Sequence, residues 1–231
     1  MNLFRLLPRR LRRRMFRYTP AGFPDVSSCG TFYDVRTTVF QGEDMMVLEY
    51  PQLEMQRSLF ERATRLLPPR GKVLDLGSGL GDLLGYFDER CLPYDDYVGI
   101  DVSERMVVEA RRRHGDRFER RDILAAPFEA GRFDTGYVLS VLGYPIGKDP
   151  TATMMAIIER TYSACRGGIV FSHLVSGRKE GLSFTSVPLE LAAACERAFG
   201  AQAEVDDWGS FTYLLALRHP MPQPLSARGV N

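Results

Sequence analysis

The stretch KVLDLGSGLGDLL (72–84) constrains the fold more strongly than any other part of the sequence. An apolar strand pattern leads directly into a turn with glycine at every second position, and a helical pattern follows the turn. This succession of strand and helix repeats toward the C-terminus, where two strand patterns follow one another. The alternation predicts an α/β fold with a mostly parallel sheet between two helical layers, and the closing strands predict an antiparallel hairpin.

The apolar periodicity divides the chain into seven strands, five helices and two flanking segments. The strands are predicted at 72–76, 97–101, 117–123, 133–142, 167–174, 202–208 and 210–219. The helices are predicted at 51–68, 81–90, 103–114, 150–165 and 188–200. We therefore expect a core domain at 51–219. A basic arm and N-terminal lid segment without clean periodicity precedes it at 1–50, and a flexible Pro-rich tail follows at 220–231.

Charge and cysteine content argue against several classes of protein. The 231 residues carry a formal net charge of +1, and seven arginines lie within the first 17 residues, so the remainder carries −6. This remainder has no polyanion-binding signature. The four cysteines are too dispersed for a disulfide framework or a metal site, and no apolar run is long enough to span a bilayer. With no secretory signal pattern at the start, we expect a cytoplasmic protein.

The glycine turn is flanked by acids, which argues against a phosphate ligand. In open parallel sheets, ligands bind beyond the carboxyl ends of the strands. The turn has Gly77, Gly79 and Gly81, whereas a dinucleotide fingerprint would place its third glycine at position 82, which is Asp82. Asp75 lies on the other side of the turn. Two carboxylates repel a pyrophosphate, so the turn favours a ligand with a cationic group, such as the ammonium of an amino acid.

The next two strand ends favour an adenosine. Asp101 lies about 20 residues after the turn, where a carboxylate accepts hydrogen bonds from ribose hydroxyls. Asp122 and Ile123 end the third strand, where a carboxylate and a backbone N–H suit an adenine edge, and Val102 and Met106 are placed to sandwich the purine. An amino acid, a ribose and an adenine without phosphate describe S-adenosylmethionine.

Four segments carry a resemblance to a known family: VLDLGSGLGD, VGIDVSERMVVEAR, RRDIL and FDTGYVLSVLGY. In this order and spacing they resemble the motifs of class I S-adenosylmethionine-dependent methyltransferases over about residues 50–219. The resemblance implies a Rossmann-like three-layer sandwich. It also implies that the turn residues Gly77, Ser78, Gly79 and Gly81 wrap the methionine part, and that the Leu139 carbonyl lies beside its amino group. Helix capping by Asp75 and Asp82 is the alternative to an approach to the ammonium.

The acceptor side is less explicit in the sequence. The N/D-P-P-Y/F motif of relatives that methylate amide-like or base nitrogens is replaced by LSVLGYP, which includes Ser140 and Tyr144. Many small-molecule relatives keep a catalytic or substrate-contacting histidine at the position of Tyr144, which makes Tyr144 a candidate for such a role. Relatives of this kind also have a Tyr-Asp pair in a helix that closes over the cofactor, and this resemblance makes Tyr33 a candidate lid contact. His173 ends the fifth predicted strand and is expected near the opening of the same site. Arg36 is a candidate to pair with a carboxylate of the substrate. Plain packing is the alternative for both tyrosines, a rim hydrogen bond for His173 and a surface ion pair for Arg36.

We therefore expect a methyltransferase that acts on a small molecule, in the setting of specialised metabolism, with oxygen slightly favoured as the acceptor. The segment at 175–187 is a candidate substrate lip. An RNA methyltransferase anchored by the arginine arm, a non-catalytic binding module and an aminopropyltransferase are the alternatives, and formation of a homodimer stays open.

Overall fold

The computed structural model of the chain describes residues 22–177 and 184–220. The predicted basic arm, the tail from residue 221 and the central part of the predicted lip lie outside these ranges. The described helices are α1 Val26–Val39, α2 Asp44–Val47, α3 Leu53–Leu66, α4 Asp82–Glu89, α5 Glu104–His114, α6 Pro150–Ala164 and α7 Pro188–Phe199. The strands are β1 Lys72–Leu76, β2 Asp96–Asp101, β3 Phe118–Arg120, β4 Thr135–Val138, β5 Ile169–Leu174, β6 Gln202–Asp206 and β7 Thr212–Arg218.

The seven strands form one sheet in the order β3-β2-β1-β4-β5-β7-β6. Pairing is parallel from β3 to β5, whereas β7 pairs antiparallel with both β5 and β6. The predicted architecture is thus confirmed, including the antiparallel hairpin. The strand order changes direction between β1 and β4, and this switch point opens a crevice at the carboxyl ends of the strands.

Successive side chains of the central strands pack into two different apolar clusters. On β1, Leu74 and Leu76 join a cluster with α6 and α7, whereas Val73 joins a cluster with α3, α4 and α5. Because neighbouring side chains of a strand point to opposite faces, these clusters are the two sides of a three-layer sandwich. Burial on both faces explains why the central strands are continuously apolar in sequence.

The third and fourth predicted strands end three and four residues early in the structure, because the chain leaves the sheet there. The third strand ends at Arg120, after which the Asp122 carboxylate accepts from the Leu124 N–H at 2.8 Å and closes a turn. The fourth ends at Val138, and Ser140 turns the chain out of the sheet with a φ of 59°. Both exits lie at the carboxyl ends of the strands and therefore point residues into the crevice.

Helix α1 lies in the segment for which the sequence showed no clean periodicity. Its N-cap is Asp25, whose carboxylate accepts from the Ser28 N–H at 2.7 Å. The buried residues of the helix are Gly30, Arg36 and Val39, so its inward side lacks an apolar stripe. A helix with such a polar inner side gives no amphipathic signal, although its capping residue is a standard one.

Candidate functional site

A cleft lies at the carboxyl ends of β1, β2 and β4 and opens to solvent. Eleven of the twelve residues predicted to bind a cofactor line it: Asp75, Gly77, Ser78, Gly79, Asp82, Asp101, Val102, Met106, Asp122, Ile123 and Leu139. The twelfth, Gly81, lies behind the wall as the left-handed N-cap residue of α4, with a φ of 86°. The structure therefore brings the sequence-predicted residues of four strand ends to one cleft.

The backbone of the glycine turn is hydrogen-bonded within the protein. The N–H groups of Gly77 and Ser78 donate to the Ile100 carbonyl at 2.7 and 3.0 Å, and the Gly79 N–H donates to the Asp101 carboxylate at 2.9 Å. A phosphate cradle needs such N–H groups directed at the ligand. Because these three groups have protein acceptors, the turn does not present them to a pyrophosphate.

Two glycines of the turn are required by close approach. Gly77 has a φ of 76°, and a Cβ at this position would overlap the Val141 side chain. At Gly79, where φ is 54°, a Cβ would lie 2.9 Å from a Leu48 methyl group. Left-handed backbone combined with this crowding excludes ordinary side chains. The resulting surface lets a ligand lie directly against the main chain.

Three carboxylates surround the turn. Asp75 is 3% exposed, and its carboxylate accepts from the Tyr97 hydroxyl at 2.5 Å. Burial, opposed by the Tyr97 hydrogen bond and assisted by the nearby Asp101 and Asp82 charges, raises the pKa of Asp75 to about 7. Asp82 is held by Gln56, whose amide donates to its carboxylate at 2.8 Å. A cationic group bound here would relieve the mutual repulsion of the acids, as the sequence predicted.

Asp101 combines a structural and a potential binding role. One of its carboxylate oxygens accepts from the Gly79 N–H, and the other accepts from the Ser103 N–H at 2.8 Å. Burial raises the pKa of Asp101 above its ordinary value. Each oxygen of an ionised carboxylate has a second acceptor site. The side chain is therefore fixed by the backbone while it retains capacity to accept from a ligand in the cleft.

The wall beyond β3 includes one residue that the sequence did not indicate. Ile123 and Met106 are buried apolar residues on this side of the cleft, as predicted for a purine site. Arg121 also lines it, with its guanidinium carbon 4.2 Å from the centre of the Phe128 ring and its Nε hydrogen-bonded to Glu119 at 2.7 Å. The stacking and the ion pair hold the guanidinium in place.

The carboxyl end of β4 places hydroxyl groups in the cleft. Ser140, predicted to contact substrate, lines the cleft, and its N–H donates to the Ser172 hydroxyl at 2.7 Å. Its own hydroxyl lies 2.5 Å from the hydroxyl of Tyr50. Tyr50 also lines the cleft, and burial raises its pKa to about 12, so that it is a neutral hydroxyl. Sequence reasoning missed Tyr50 because it belongs to a linker between helices.

Two predicted tyrosines meet at an acid that the sequence did not single out. Tyr33 of α1 and Tyr144 of the loop after β4 both line the cleft. Their hydroxyls donate to the same carboxylate oxygen of Glu49, at 3.0 and 2.7 Å. Burial and the Glu49 charge raise the pKa of Tyr33 well above its ordinary value, so its hydroxyl stays protonated.

The structure corrects the positions expected for His173 and Arg36. His173 is 2% exposed within β5, where its ring packs against the rings of Phe184 and Tyr213, and it does not line the cleft. Burial lowers its pKa to about 4. Arg36 is 3% exposed, donates to the carbonyls of Met46 and Val47 and lies beneath the cleft wall. Both side chains point into the protein, so neither is presented to a ligand in the cleft.

An apolar recess adjoins the cleft behind Tyr144. Cleft and recess share Tyr144, Val141, Ile146 and Ile157. The recess is completed by Leu142, Pro150, Thr153, Met154 and Phe184. The Thr153 hydroxyl donates to the Asp149 carbonyl at 3.0 Å, so the polar group of this residue is engaged within its own helix. The arrangement leaves a mainly aliphatic and aromatic lining next to the tyrosine hydroxyls.

Among residues 22–177 and 184–220, His, Cys, Asp and Glu do not form a group of three or more arranged to hold a metal ion. In the same part of the chain, no helix has the length and apolar character needed to cross a membrane.

All four cysteines are free thiols, and burial raises the pKa of Cys29, which lines the cleft, to about 12.

The chain is similar to known methyltransferases in sequence and in fold. Residues 73–166 match the sequence family described as "Methyltransferase domain". Rv1506c of Mycobacterium tuberculosis, which is named as a methyltransferase, is 29% identical over 153 residues, covering 63% of this chain and 92% of that protein.

Solved structures share the architecture at low sequence identity. DhpI in complex with SAH superposes with a TM-score of 0.63 at 20% identity, over 87% of this chain and 98% of that chain. A Haloferax volcanii complex of the methyltransferase activator Trm112 with its methyltransferase matches with a TM-score of 0.62 at 18% identity, over 81% and 97% of the respective chains. At this identity, these two similarities describe the fold.

Proposed function

We propose that the chain is a class I S-adenosylmethionine-dependent methyltransferase, as the match of residues 73–166 to the methyltransferase domain supports, and that it methylates a small organic acceptor, with oxygen as the favoured acceptor atom. The observation that carries this proposal is the acceptor side of the cleft, where the hydroxyl residues Tyr50, Ser140 and Tyr144 line the same space as apolar side chains. Ligand sites of small molecules are typically apolar cavities with a few placed polar groups.

The donor side of the proposal assigns roles to the strand ends. Gly77 and Gly79 form the surface against which the methionine part lies, and the acids around the turn attract its ammonium. Asp101 accepts from the ribose hydroxyls through its remaining acceptor sites. Asp122 and the N–H of Ile123 contact the adenine edge. These roles follow from chemical fit, because the backbone N–H groups of the turn are already paired and its flanking groups are carboxylates.

When bound, the donor supplies a methyl group on a sulfonium sulfur. The acceptor oxygen would bond to the methyl carbon from the side opposite the sulfur, and the carbon–sulfur bond would break to leave the thioether S-adenosylhomocysteine. The protein contributes alignment and exclusion of water. The hydroxyls of Ser140 and Tyr144 lie on the acceptor side, where they are suited to orient an oxygen acceptor. A carboxylate acceptor needs no base, whereas a phenol must lose its proton.

The acceptor class is inferred from the lining of the cleft. Val141, Ile146 and Ile157 line it beside Ser140 and Tyr144, which suits an acceptor that carries an apolar group next to its reacting oxygen. Burial of such a group favours binding by about 25 cal/mol per Å² of apolar surface. The setting we propose is specialised metabolism.

The test combines binding with methyl transfer. Calorimetric titration with S-adenosylmethionine establishes donor binding, and labelled S-adenosylmethionine is then offered with a small-molecule extract and with RNA in separate reactions. We expect the label in low-mass products, with an O-methyl carbon in their NMR spectra. Label in RNA would overturn the proposal in favour of the arginine-arm alternative. Donor binding without transfer to either would favour a non-catalytic module.

A further inference from the structure

Helix α1 forms one wall of the cleft. Val26, Cys29 and Tyr33 line the cleft, and their spacing of three and four residues places them on one face of the helix. The helix is attached to the donor side through Asp34, whose carboxylate oxygen accepts from the Ser103 hydroxyl at 2.7 Å and from the Arg105 N–H at 2.9 Å. This contact ties α1 to the beginning of α5.

A second attachment ties α1 to the acceptor side. One carboxylate oxygen of Glu49 accepts from Tyr33 of α1 at 3.0 Å and from Tyr144 of the loop after β4 at 2.7 Å. Glu49 belongs to neither element, because it lies in the linker between α2 and α3. Its carboxylate therefore joins two cleft walls that are distant in sequence.

The backbone and a buried cation hold Glu49 in this place. Glu49 has a φ of 63°, a left-handed conformation that is uncommon for a residue with a side chain. Its second carboxylate oxygen lies 3.5 Å from Nη1 of Arg36, and Nε of the same guanidinium donates to the Val47 carbonyl at 3.1 Å. A non-glycine residue persists in this conformation where its surroundings determine it, and such positions concentrate at ligand sites.

We propose that Glu49 is a positioning residue that latches α1 across the cleft by holding the hydroxyls of Tyr33 and Tyr144, so that donor and product pass only when these hydrogen bonds open. The identity of the ligand in this inference rests on the proposed function. The latch itself is made within the chain, because Glu49 is hydrogen-bonded to both tyrosines.

A latch has a kinetic signature that differs from that of a ligand contact. If it is closed both before and after binding, its loss increases the association and dissociation rate constants together and leaves Kd nearly unchanged. Loss of a direct ligand contact would increase the dissociation rate constant alone, as most interface changes do. Loss of structure would instead weaken binding and lower the melting temperature.

Glu49→Gln tests the latch with little change in shape. The carboxamide is neutral, so the charge-assisted hydrogen bonds of the two tyrosine hydroxyls become weaker neutral ones and the ion pair with Arg36 is lost. We expect both rate constants for S-adenosylhomocysteine, measured by surface plasmon resonance, to rise about tenfold, which corresponds to about 1.4 kcal/mol. Glu54→Gln, an exposed residue in the first turn of α3, is the matched control with unchanged rates.

Two further measurements make the test independent of one variant and of the ligand. The double variant Tyr33→Phe/Tyr144→Phe removes both donors and should reproduce the rates of Glu49→Gln. Hydrogen exchange of residues 26–39 in the ligand-free protein should accelerate in Glu49→Gln and stay unchanged in Glu54→Gln. Unchanged exchange and unchanged rates would overturn the latch. Failure of the unaltered protein to bind S-adenosylhomocysteine would overturn the proposed function, and accelerated exchange would still report the latch.

Discussion

Replacement of Asp101 by Asn is the most direct test of the donor site. The two carboxylate oxygens accept from the N–H groups of Gly79 and Ser103, and both remain available to a ligand in the cleft. Asparagine has one acceptor oxygen, so its NH₂ group must face one of these backbone donors. The variant therefore loses the charge-assisted hydrogen bonds that the ribose hydroxyls donate to the carboxylate. It also weakens the backbone contacts that hold the glycine turn, against which the ligand lies.

The magnitude follows from the number of charged hydrogen bonds at stake. A hydrogen bond to a charged group contributes about 1.5–3 kcal/mol, and about 1.4 kcal/mol corresponds to a tenfold change in Kd. Loss of one such bond to the ribose predicts that Kd for S-adenosylmethionine rises by roughly 10- to 150-fold. Because burial raises the pKa of Asp101, calorimetry at pH 8 is preferred, where the carboxylate is more fully ionised.

The matched control is Asp96→Asn at the opposite end of the same strand. Asp96 is exposed, and its carboxylate accepts from the neighbouring Tyr97 N–H at 2.9 Å. We expect this variant to bind the donor as the unaltered protein does. A folded Asp101→Asn protein whose Kd changes less than about threefold, a difference of roughly 0.65 kcal/mol, would refute the ribose assignment.

Three further outcomes are expected. The pKa of about 7 at Asp75 means that the folded protein takes up a proton as the pH falls through 7, so donor affinity should fall there in calorimetry. Because the pKa is higher in the folded than in the unfolded protein, ionisation of Asp75 destabilises the folded state increasingly as the pH rises toward 7. Asp75→Asn should therefore raise the melting temperature of the ligand-free protein more at pH 8 than at pH 5. The same variant should flatten the dependence of donor affinity on pH. Ile158→Ala, at a fully buried position, should cost about 2–5 kcal/mol in urea unfolding, whereas Leu189→Ala, 73% exposed, should cost under about 0.5 kcal/mol. Ser103→Ala should lower the free energy of unfolding, measured by urea unfolding, by about 1 kcal/mol, because the serine hydroxyl caps α5 and donates to the Asp34 carboxylate.

The fold and the donor side were readable from the sequence because their signals are local. Strand β1, the glycine turn and α4 are contiguous, so apolar periodicity and glycine spacing predict both structure and position. Asp101 and Asp122 follow their strands directly, and parallel strands bring such residues to one edge of the sheet. These residues line the cleft as predicted, although their contacts with a donor stay predictions.

The acceptor side was less readable because tertiary contacts decide it. Glu49 and Tyr50 lie in a linker without periodicity, and only the folding of α1 and α3 around them brings them to the cleft. His173 was placed at the mouth from its position near a strand end. Because β7 pairs beside β5, its ring instead packs against Tyr213. Arg36 looks like a surface cation in sequence, whereas backbone carbonyls and the rings of Phe32 and Phe40 surround it.

The switch point between β1 and β4 has a consequence for how this protein can diversify. Most groups proposed for the donor follow β1, β2 and β3, whereas Ser140 and Tyr144, proposed for the acceptor, follow β4. The two halves of the sheet meet along the β1–β4 pairing, from Val73 with Thr135 to Asp75 with Tyr137. Changes around Ile157 can therefore alter the acceptor side while the Asp101 carboxylate keeps its backbone donors Gly79 and Ser103. Such a division lets descendants of one ancestral chain exchange one acceptor for another while they inherit the donor half intact.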